Sequence, residues 1–187
     1  MRNIEFKVNQ CLYKNKSSKK LILKKDSIDK IVDDLARRIS SDYKNSDLVL
    51  IGVLKGAFVF LSDLMRRLTI PVKIDFVRVF SYGSGTSSSG NIRLTKEIEL
   101  DIKNKDVLII EDIVDTGLTL TYLVDYLKSF GPKSVKICSL LDKHERREVD
   151  IKVDYIGHVL KEGFIVGYGI DYNENFRHLA DIYRLKL

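Results

Sequence analysis

The residues best suited to chemistry form a run of nine, Glu111 to Thr119 (EDIVDTGLT), directly after the apolar segment VLII. Three of them, Glu111, Asp112 and Asp115, are acids within five positions. At a separation of about 6 Å and an effective dielectric constant of about 20, each pair of carboxylates would repel by roughly 3 kcal/mol before screening. We therefore expect a cation or a hydroxyl-rich ligand among them, and a site with oxygen ligands alone favours Mg²⁺ that keeps several waters.

The second half of the same run has a different chemical character. Thr116 and Thr119 offer hydroxyl groups, and Gly117 has no side chain, at the predicted start of a helix where free backbone amides attract phosphate. The first half of the run is thus suited to a metal and hydroxyl groups, and the second half to phosphate. Together they describe a site for a ribose 5-phosphate. Helix capping would explain only one or two residues of the nine, so we interpret the run as functional.

The elements that must position this run follow from the spacing of apolar residues. Three helices are predicted, one that starts at Asp26 and two over 57–68 and 118–130. Asp26 would cap the first of them. Strands are predicted at 48–53, 72–80, 107–110, 135–141, 155–160 and 164–170. Strands and helices alternate over residues 48–141, which indicates an α/β fold with a mostly parallel twisted sheet flanked by helices.

Ligands of such sheets bind beyond the carboxyl ends of the strands, so the loops that follow the other strands also matter. Leu54-Lys55-Gly56 follows the strand at 48–53, the polar segment 81–90 (SYGSGTSSSG) follows the strand at 72–80, and Asp142-Lys143 follows the strand at 135–141. Each loop alone is explained by a turn or a hairpin tip. Their predicted position at the same edge of the sheet as the acidic run makes them candidates for the same site.

The acidic run resembles the motif that binds 5-phosphoribosyl 1-pyrophosphate (PRPP) in type I phosphoribosyltransferases. From about residue 22 onward the chain resembles the hypoxanthine-guanine branch of that family. The resemblance implies that Glu111 and Asp112 hold the ribose hydroxyls and hydrated Mg²⁺, and that Asp115 faces N7 of the purine as the general acid or base. It also implies that the 5-phosphate binds to a loop made of Asp115, Thr116, Gly117, Leu118 and Thr119.

The same resemblance assigns a role to the loop after the first buried strand. Lys55, with the surrounding backbone of Leu54 and Gly56, would receive the pyrophosphate, often across a non-proline cis peptide. Arg177 would reach the same pyrophosphate from the C-terminal part of the chain.

The purine would be bound by residues from the last third of the chain, again by resemblance. Lys143 would donate to O6 of the base, and an ammonium group prefers a 6-oxo acceptor to the 6-amino group of adenine. Phe164 would stack on the base, and the backbone of Ile165 would meet its Watson–Crick edge. Asp171 would assist a second Mg²⁺ through water.

The polar loop resembles the mobile flap of the family, which closes on the substrate through a Ser-Tyr pair, here Ser81 and Tyr82. Closure would exclude water that could otherwise capture an activated sugar. The family further implies a single domain over 1–187, with a core of about 26–150, a small hood from about 1–25 and 151–187, and the flap at 81–91.

Composition excludes several classes of protein. With 187 residues, 44% hydrophobic and 31% charged, the chain suits one globular domain, and no apolar run approaches the ~20 residues that cross a bilayer. The net charge of +6 is local, because the first 25 residues carry +7 and the rest carry −1. We interpret this excess as a solvated Lys-rich edge and expect no nucleic-acid partner. The distant pair Cys11 and Cys138 favours a reducing compartment, the cytoplasm, over a disulfide scaffold.

The resulting hypothesis is an Mg²⁺-dependent enzyme that joins hypoxanthine or guanine to PRPP, giving IMP or GMP plus pyrophosphate in purine salvage. Its expected partners are these small molecules and further copies of the chain, since the family is usually dimeric or tetrameric. Three alternatives stay open. The first is a two-component receiver domain, which also carries paired acids and Mg²⁺ after a buried strand. The second is a phosphoribosyltransferase fold that binds RNA as a regulator. The third is a phosphoribosyltransferase that uses uracil or xanthine as the base.

Overall fold

The computed structural model of the chain describes residues 19–81 and 92–186. Tyr82 and almost all of the predicted flap lie outside the described residues, as does the start of the Lys-rich N-terminal segment. The described elements, in chain order, are β1 (Lys19–Leu23), α1 (Lys25–Asp42), β2 (Leu48–Leu54), α2 (Phe58–Met65), β3 (Val72–Ser81), β4 (Ile92–Lys96), β5 (Asp106–Val114), α3 (Leu118–Lys128), β6 (Ser134–Lys143), β7 (Tyr155–Leu160), β8 (Phe164–Val166) and β9 (Ile182–Leu185).

Six of the strands form one sheet in the order β4-β3-β2-β5-β6-β7. Neighbours from β3 to β7 are parallel, and only β4, at the edge, is antiparallel to its neighbour β3. The predicted mostly parallel sheet is thus confirmed. Because the strands run in one direction, the carboxyl ends of β2, β5 and β6 meet at the same edge of the sheet.

The two faces of this sheet bury alternate residues of each central strand. In β2, Leu48 and Leu50 pack with α1 and α2, whereas Val49, Ile51 and Val53 pack on the opposite face with α3. A strand covered on both sides has no solvent-facing position, which explains the unbroken apolar sequence of β2. The layers fix the sheet between helices, so the loops at its carboxyl edge start from rigid positions.

Helix α1 is amphipathic as predicted, with Ile28, Val32, Leu35 and Ile39 buried on one face. The prediction that Asp26 caps it was wrong. Lys24 occupies the capping position without a side-chain cap, and Asp26 lies in the first turn. There its negative charge still favours the positive end of the helix dipole.

Two predicted strand ends were also wrong. Strand β5 does not stop at the acids but continues through them to Val114, because β6 supplies ladder partners for Ile113 and Val114. Strand β8 ends at Val166 rather than near 170, since Gly167 and Gly169 take left-handed backbone conformations (φ 101° and 97°) that turn the chain.

A second, smaller sheet joins the two ends of the described chain, with the antiparallel order β1-β9-β8. Its strands come from the two segments, about 1–25 and 151–187, that we expected to form the hood. Within the C-terminal segment β7 belongs to the larger sheet, whereas β8 and β9 belong to the small sheet. No helix within residues 19–81 and 92–186 is long and apolar enough to span a membrane.

Candidate active site

The two leading acids lie side by side at the end of β5. Glu111 and Asp112 are each only 8% exposed, and the backbone amide of Asp112 donates to Oε1 of Glu111 at 3.1 Å. Burial, followed by the neighbouring charge of Asp112, raises the pKa of Glu111 well above its usual range. Burial also raises the pKa of Asp112, against the opposing hydrogen bonds and the positive charge of Arg177. The fold holds two buried acids together at a cost that a bound cation would relieve.

A shallow loop follows the acids and leads into α3. Gly117 takes a left-handed conformation (φ 89°), and within the described part of the chain the amides of Thr116, Gly117 and Thr119 have no protein acceptor. Residues 111–117 together with Thr119 and Leu120 line a cavity of about 220 Å³. The loop therefore offers free amides at a helix start, next to the acids, as phosphate binding requires.

Asp115 projects from this loop toward β6. Its Oδ2 lies 3.1 Å from Nζ of Lys143, whose side chain is 8% exposed. Its other oxygen, Oδ1, is buried and has no hydrogen-bond partner among the described residues. A buried carboxylate oxygen without a donor is costly, so this atom is poised to accept a proton or hydrogen bond from a ligand.

The loop after β2 packs directly on the acids. The Leu54–Lys55 peptide bond is cis. At Gly56 a Cβ atom would lie 1.8 Å from Oδ2 of Asp112, so only glycine fits at this position. At Gly169 a Cβ would lie 2.4 Å from the carbonyl oxygen of Gly56, and this second glycine brings the C-terminal segment against the same loop.

Two basic side chains reach this region and share one acid. Nζ of Lys55 lies 2.8 Å from Oε1 of Glu174, and Nη2 of Arg177 lies 3.4 Å from Oε2 of the same residue. Arg177 also pairs with Asp171 at 2.8 Å, while its Nε is buried without an acceptor among the described residues. The hydrogen bond from Lys55, opposed by slight burial, lowers the pKa of Glu174. Both predicted pyrophosphate ligands are thus held by an internal carboxylate.

Of the four residues predicted to bind the base, Lys143 ends β6 of the larger sheet, and the other three lie on the small sheet and the turn after it. Phe164 is 40% exposed, and its ring meets the ring of Tyr172 edge-on at 5.1 Å. The Ile165 side chain is buried and its backbone pairs with Arg184 of β9. Asp171 bonds to Arg177 and accepts from the amide of Glu174 at 2.8 Å.

Comparison with known proteins decides the family. Residues 19–173 match the phosphoribosyl transferase domain. The hypoxanthine-guanine phosphoribosyltransferase of Aquifex aeolicus is 44% identical over 89% of this chain and 94% of its own. A hypoxanthine phosphoribosyltransferase structure from Staphylococcus aureus is 42% identical, with a TM-score of 0.86 over 89% of this chain and 91% of that chain. The chain belongs to the phosphoribosyltransferase family.

Membership in the phosphoribosyltransferase family contradicts the receiver-domain alternative, and the fold explains why the two patterns look alike. In both, acids follow a buried parallel strand. Here Glu111 and Asp112 belong to β5, in the middle of the sheet order, and lead into a loop in which the amides of Thr116, Gly117 and Thr119 have no acceptor among the described residues. The sequence analysis predicted this loop, after the acids, as the part that binds phosphate.

This phosphoribosyltransferase brings three pairs of predicted site residues into contact. Asp115 meets Lys143, Gly56 meets Asp112, and Arg177 meets Asp171. Ser81 ends β3, and Tyr82, its predicted flap partner, lies outside the described residues. Other surface concavities are larger, such as one of about 420 Å³ lined by residues of α1 and of the segment between α2 and β3. The unpartnered Asp115 oxygen, however, belongs to a residue that lines the cavity at the acids.

Sequence reasoning missed two residues of this region. Glu174 belongs to a short run of mixed charges after Asp171, and only the left-handed backbone at Asn173 and Glu174 (φ 48° and 61°) turns its carboxylate toward Lys55. Arg147 lies in a charged stretch without periodicity, yet it hydrogen-bonds to Asp115. No signal near either residue in the sequence pointed to these contacts.

Proposed function

We propose that this protein is a hypoxanthine-guanine phosphoribosyltransferase, transferring the 5-phosphoribosyl group of PRPP to N9 of a 6-oxopurine in purine salvage. N9 forms a bond to the anomeric carbon as the bond from that carbon to pyrophosphate breaks. The products are IMP or GMP and pyrophosphate. The observation that carries the proposal is the meeting, at one sheet edge, of two buried acids, a loop of free amides and the Asp115–Lys143 pair.

In this proposal the sugar is held by β5 and the loop after it. Glu111 and Asp112 accept hydrogen bonds from the ribose hydroxyls, and the amides of residues 116–119 bind the 5-phosphate at the start of α3. Holding both ends of the sugar fixes the anomeric carbon for in-line attack, which is a major source of rate enhancement.

Asp115 would take the proton from N7 as N9 attacks, and its unpartnered Oδ1 is an acceptor suited to that proton. Lys143 would donate to O6 of the base and so select 6-oxopurines. Phe164, exposed on the small sheet, would stack on the base while the backbone of Ile165 meets its edge. These assignments place the base between β6 and β8.

The departing pyrophosphate would be received by the loop of Leu54, Lys55 and Gly56 and by Arg177. Arg177 has a buried Nε donor without an acceptor among the described residues, which a phosphate oxygen would satisfy. Positive groups aimed at the leaving group stabilise the charge that develops on it.

We further propose that the reaction requires Mg²⁺. Glu111 and Asp112 would hold the ion through its water shell, with Asp171 assisting a second ion. Among the described residues no three His, Cys, Asp or Glu side chains form a ready-made metal cluster, which fits an ion that keeps its waters and binds together with substrate phosphates. Bound there, Mg²⁺ would neutralise charge on the pyrophosphate.

We also propose that the protein acts in the cytoplasm as a homodimer or homotetramer. The hypoxanthine phosphoribosyl transferase of Trypanosoma cruzi, 39% identical with a TM-score of 0.86, has been studied for the role of its C-terminal region in oligomeric state and enzymatic activity. Light scattering after size exclusion would determine the assembly.

The enzyme proposal is tested by incubating the protein with PRPP, Mg²⁺ and one nucleobase at a time. Hypoxanthine, guanine, xanthine, adenine and uracil form the panel, and chromatography identifies the nucleotide. We expect IMP and GMP with one pyrophosphate each, and loss of both products when a chelator removes Mg²⁺. No nucleotide from any base, or UMP alone, would contradict the proposal. RNA binding at low salt that is lost on deleting the Lys-rich N-terminal segment would instead support the regulator alternative.

A further inference from the structure

We propose that Arg147 is a positioning residue that holds Asp115, in the loop after β5, and Lys143, at the end of β6, at a fixed separation. This inference rests on the proposed function, in which these two residues meet O6 and N7, two neighbouring groups on one edge of the purine. Arg147 lies on the segment after β6, and its side chain is 16% exposed.

The guanidinium group of Arg147 bonds at once to the loop after β5 and to the end of β6. Its Nε donates to the carbonyl oxygen of Asp115 at 2.9 Å. Its Nη2 donates to the carboxylate of Asp142 and, at 3.3 Å, to the carbonyl oxygen of Lys143. One planar group thus joins the residue that would handle the N7 proton to the residue that would bind O6.

The backbone after Arg147 supports the same loop. The amides of Glu148 and Val149 donate to the carbonyl oxygen of Thr116 at 3.0 and 3.1 Å. A Cβ at Gly117 would lie 3.0 Å from the carbonyl oxygen of Val149. Arg147 and the residues after it therefore engage the carbonyl oxygens of Asp115 and Thr116, whereas the amides of Thr116, Gly117 and Thr119 have no acceptor among the described residues.

Asp142 makes the bridge specific for arginine. It is 3% exposed, and besides Arg147 it contacts Nε2 of His144 at 3.2 Å. A buried carboxylate needs a charged donor, and only a planar fork of several donors can meet it and two carbonyl oxygens in different directions. Lysine would keep the charge at a single point and lose the bridge.

Without the bridge, the loop of Asp115 would be held to the end of β6 only by the strand pairing that ends at Val114 and Asp142 and by the ion pair between Asp115 and Lys143. A displacement of about 1 Å at reacting groups can cost about 10²-fold in rate. We therefore expect Arg147→Met to lower kcat/KM for hypoxanthine by about 10–100-fold. The neighbouring Arg146→Met is the matched control, because Arg146 is exposed, and it should leave kcat/KM unchanged.

A double-mutant cycle separates positioning from a general structural role. Once Asp115 is replaced by Asn, its alignment with Lys143 matters little, so adding Arg147→Met should cost much less than it does in the wild-type background. The inference would be overturned if Arg147→Met lowered kcat/KM by the same factor in the wild type and in Asp115→Asn. It would also be overturned if folded Arg147→Met had the kcat/KM of the wild type.

Arg147→Lys keeps the inference testable if Arg147→Met does not fold. It preserves the charge beside Asp142 and is expected to fold, yet to show a similar loss of kcat/KM. Full activity of Arg147→Lys would contradict the bridge. If the wild-type protein itself makes no nucleotide, the proposed function fails; if the wild type is active but the variants match it, only the inference fails.

Discussion

Nζ of Lys143 and Oδ2 of Asp115 lie 3.1 Å apart, at the carboxyl ends of neighbouring strands. The ammonium group occupies one oxygen of the carboxylate and leaves Oδ1 buried without a partner among the described residues. The pair therefore combines a donor for an oxo group with an acceptor for a proton. A 6-oxopurine presents both groups along one edge, O6 and the hydrogen on N7.

Asp115→Asn tests the proton transfer assigned to this residue. The amide keeps the size of the side chain but cannot take up a proton, so we expect kcat to fall by about 10²–10⁴-fold with little loss of PRPP affinity. Asp125→Asn, on the exposed face of α3, is the matched control and should be fully active. Near-normal turnover of Asp115→Asn would remove the acid/base assignment.

Glu174→Gln tests whether the internal carboxylate competes with pyrophosphate for Lys55 and Arg177. Because Glu174 is 65% exposed, the competition is screened by solvent, and we expect pyrophosphate to bind about two- to fivefold more tightly to the variant. Calorimetric titration of pyrophosphate with Mg²⁺ measures the change, which should shrink as salt rises.

Glu162→Gln provides the control for that titration. Glu162 is equally exposed and pairs with Arg184 at 3.0 Å, so it undergoes the same chemical change without contacting the two predicted ligands. Its pyrophosphate affinity should match the wild type. Weaker binding to Glu174→Gln would show that Glu174 helps to place Lys55 and Arg177 rather than competing for them.

Glu111→Gln should stabilise the folded protein at neutral pH. The pKa of Glu111 is raised in the folded state by burial and by Asp112, so its contribution to stability is present at low pH and is lost as pH rises through that raised pKa. Removing the charge should add about 0.5–2 kcal/mol at neutral pH, as in other destabilised active sites.

Urea unfolding at acidic and at neutral to alkaline pH measures this effect. The gain should vanish at acidic pH, where Glu111 is already protonated. Glu97→Gln, an exposed site, should show no gain at either pH. A Glu111→Gln variant that is less stable than wild type at neutral pH would contradict the assignment of repulsion to this pair.

Asp75→Asn should destabilise the sheet and alter its acid sensitivity. Burial would raise the pKa of Asp75, but hydrogen bonds from the amides of Leu100, Glu99 and Phe76, with a bond from Lys96, outweigh it and leave that pKa lowered. A carboxylate whose pKa is lower in the folded than in the unfolded protein stabilises the fold at pH values above its unfolded pKa. This stabilisation is lost as pH falls through its folded pKa. We expect a loss of about 1–3 kcal/mol at neutral pH.

The acid limb of the stability curve provides the check on Asp75. Below about pH 4 the wild type loses the contribution of this carboxylate, so its curve should approach that of Asp75→Asn. Asp47→Asn removes an exposed ion pair with Lys73 and should cost little at any pH. A constant difference between wild type and Asp75→Asn at all pH values would rule out the ionised carboxylate as the cause.

The central sheet could be predicted because its physical cause is local in sequence. The apolar run of β2 has no polar position on either face, so it had to be buried on both sides. The acids at the end of β5 were also visible, since three carboxylates in five positions are more than helix capping explains. Their predicted position after the strand was wrong because strand length depends on β6, a partner the β5 sequence does not contain.

The contacts that could not be predicted join distant parts of the chain. Glu174 meets Lys55 across 119 positions, and Arg147 meets Asp115 across 32. Pairing of β1 with β9 joins the two ends of the described chain. Such contacts follow from topology and from left-handed turns at individual residues, and neither leaves a periodic pattern in the sequence.

The central claim is that the two buried acids and the loop after them bind PRPP. Calorimetric titration of PRPP with Mg²⁺ into the wild type and into Glu111→Gln tests it most directly, because the variant should be the more stable of the two proteins. Loss of a charge-assisted acceptor should weaken PRPP binding by at least about tenfold. Equal affinity of the two proteins for PRPP, or no binding to the wild type, would contradict the account.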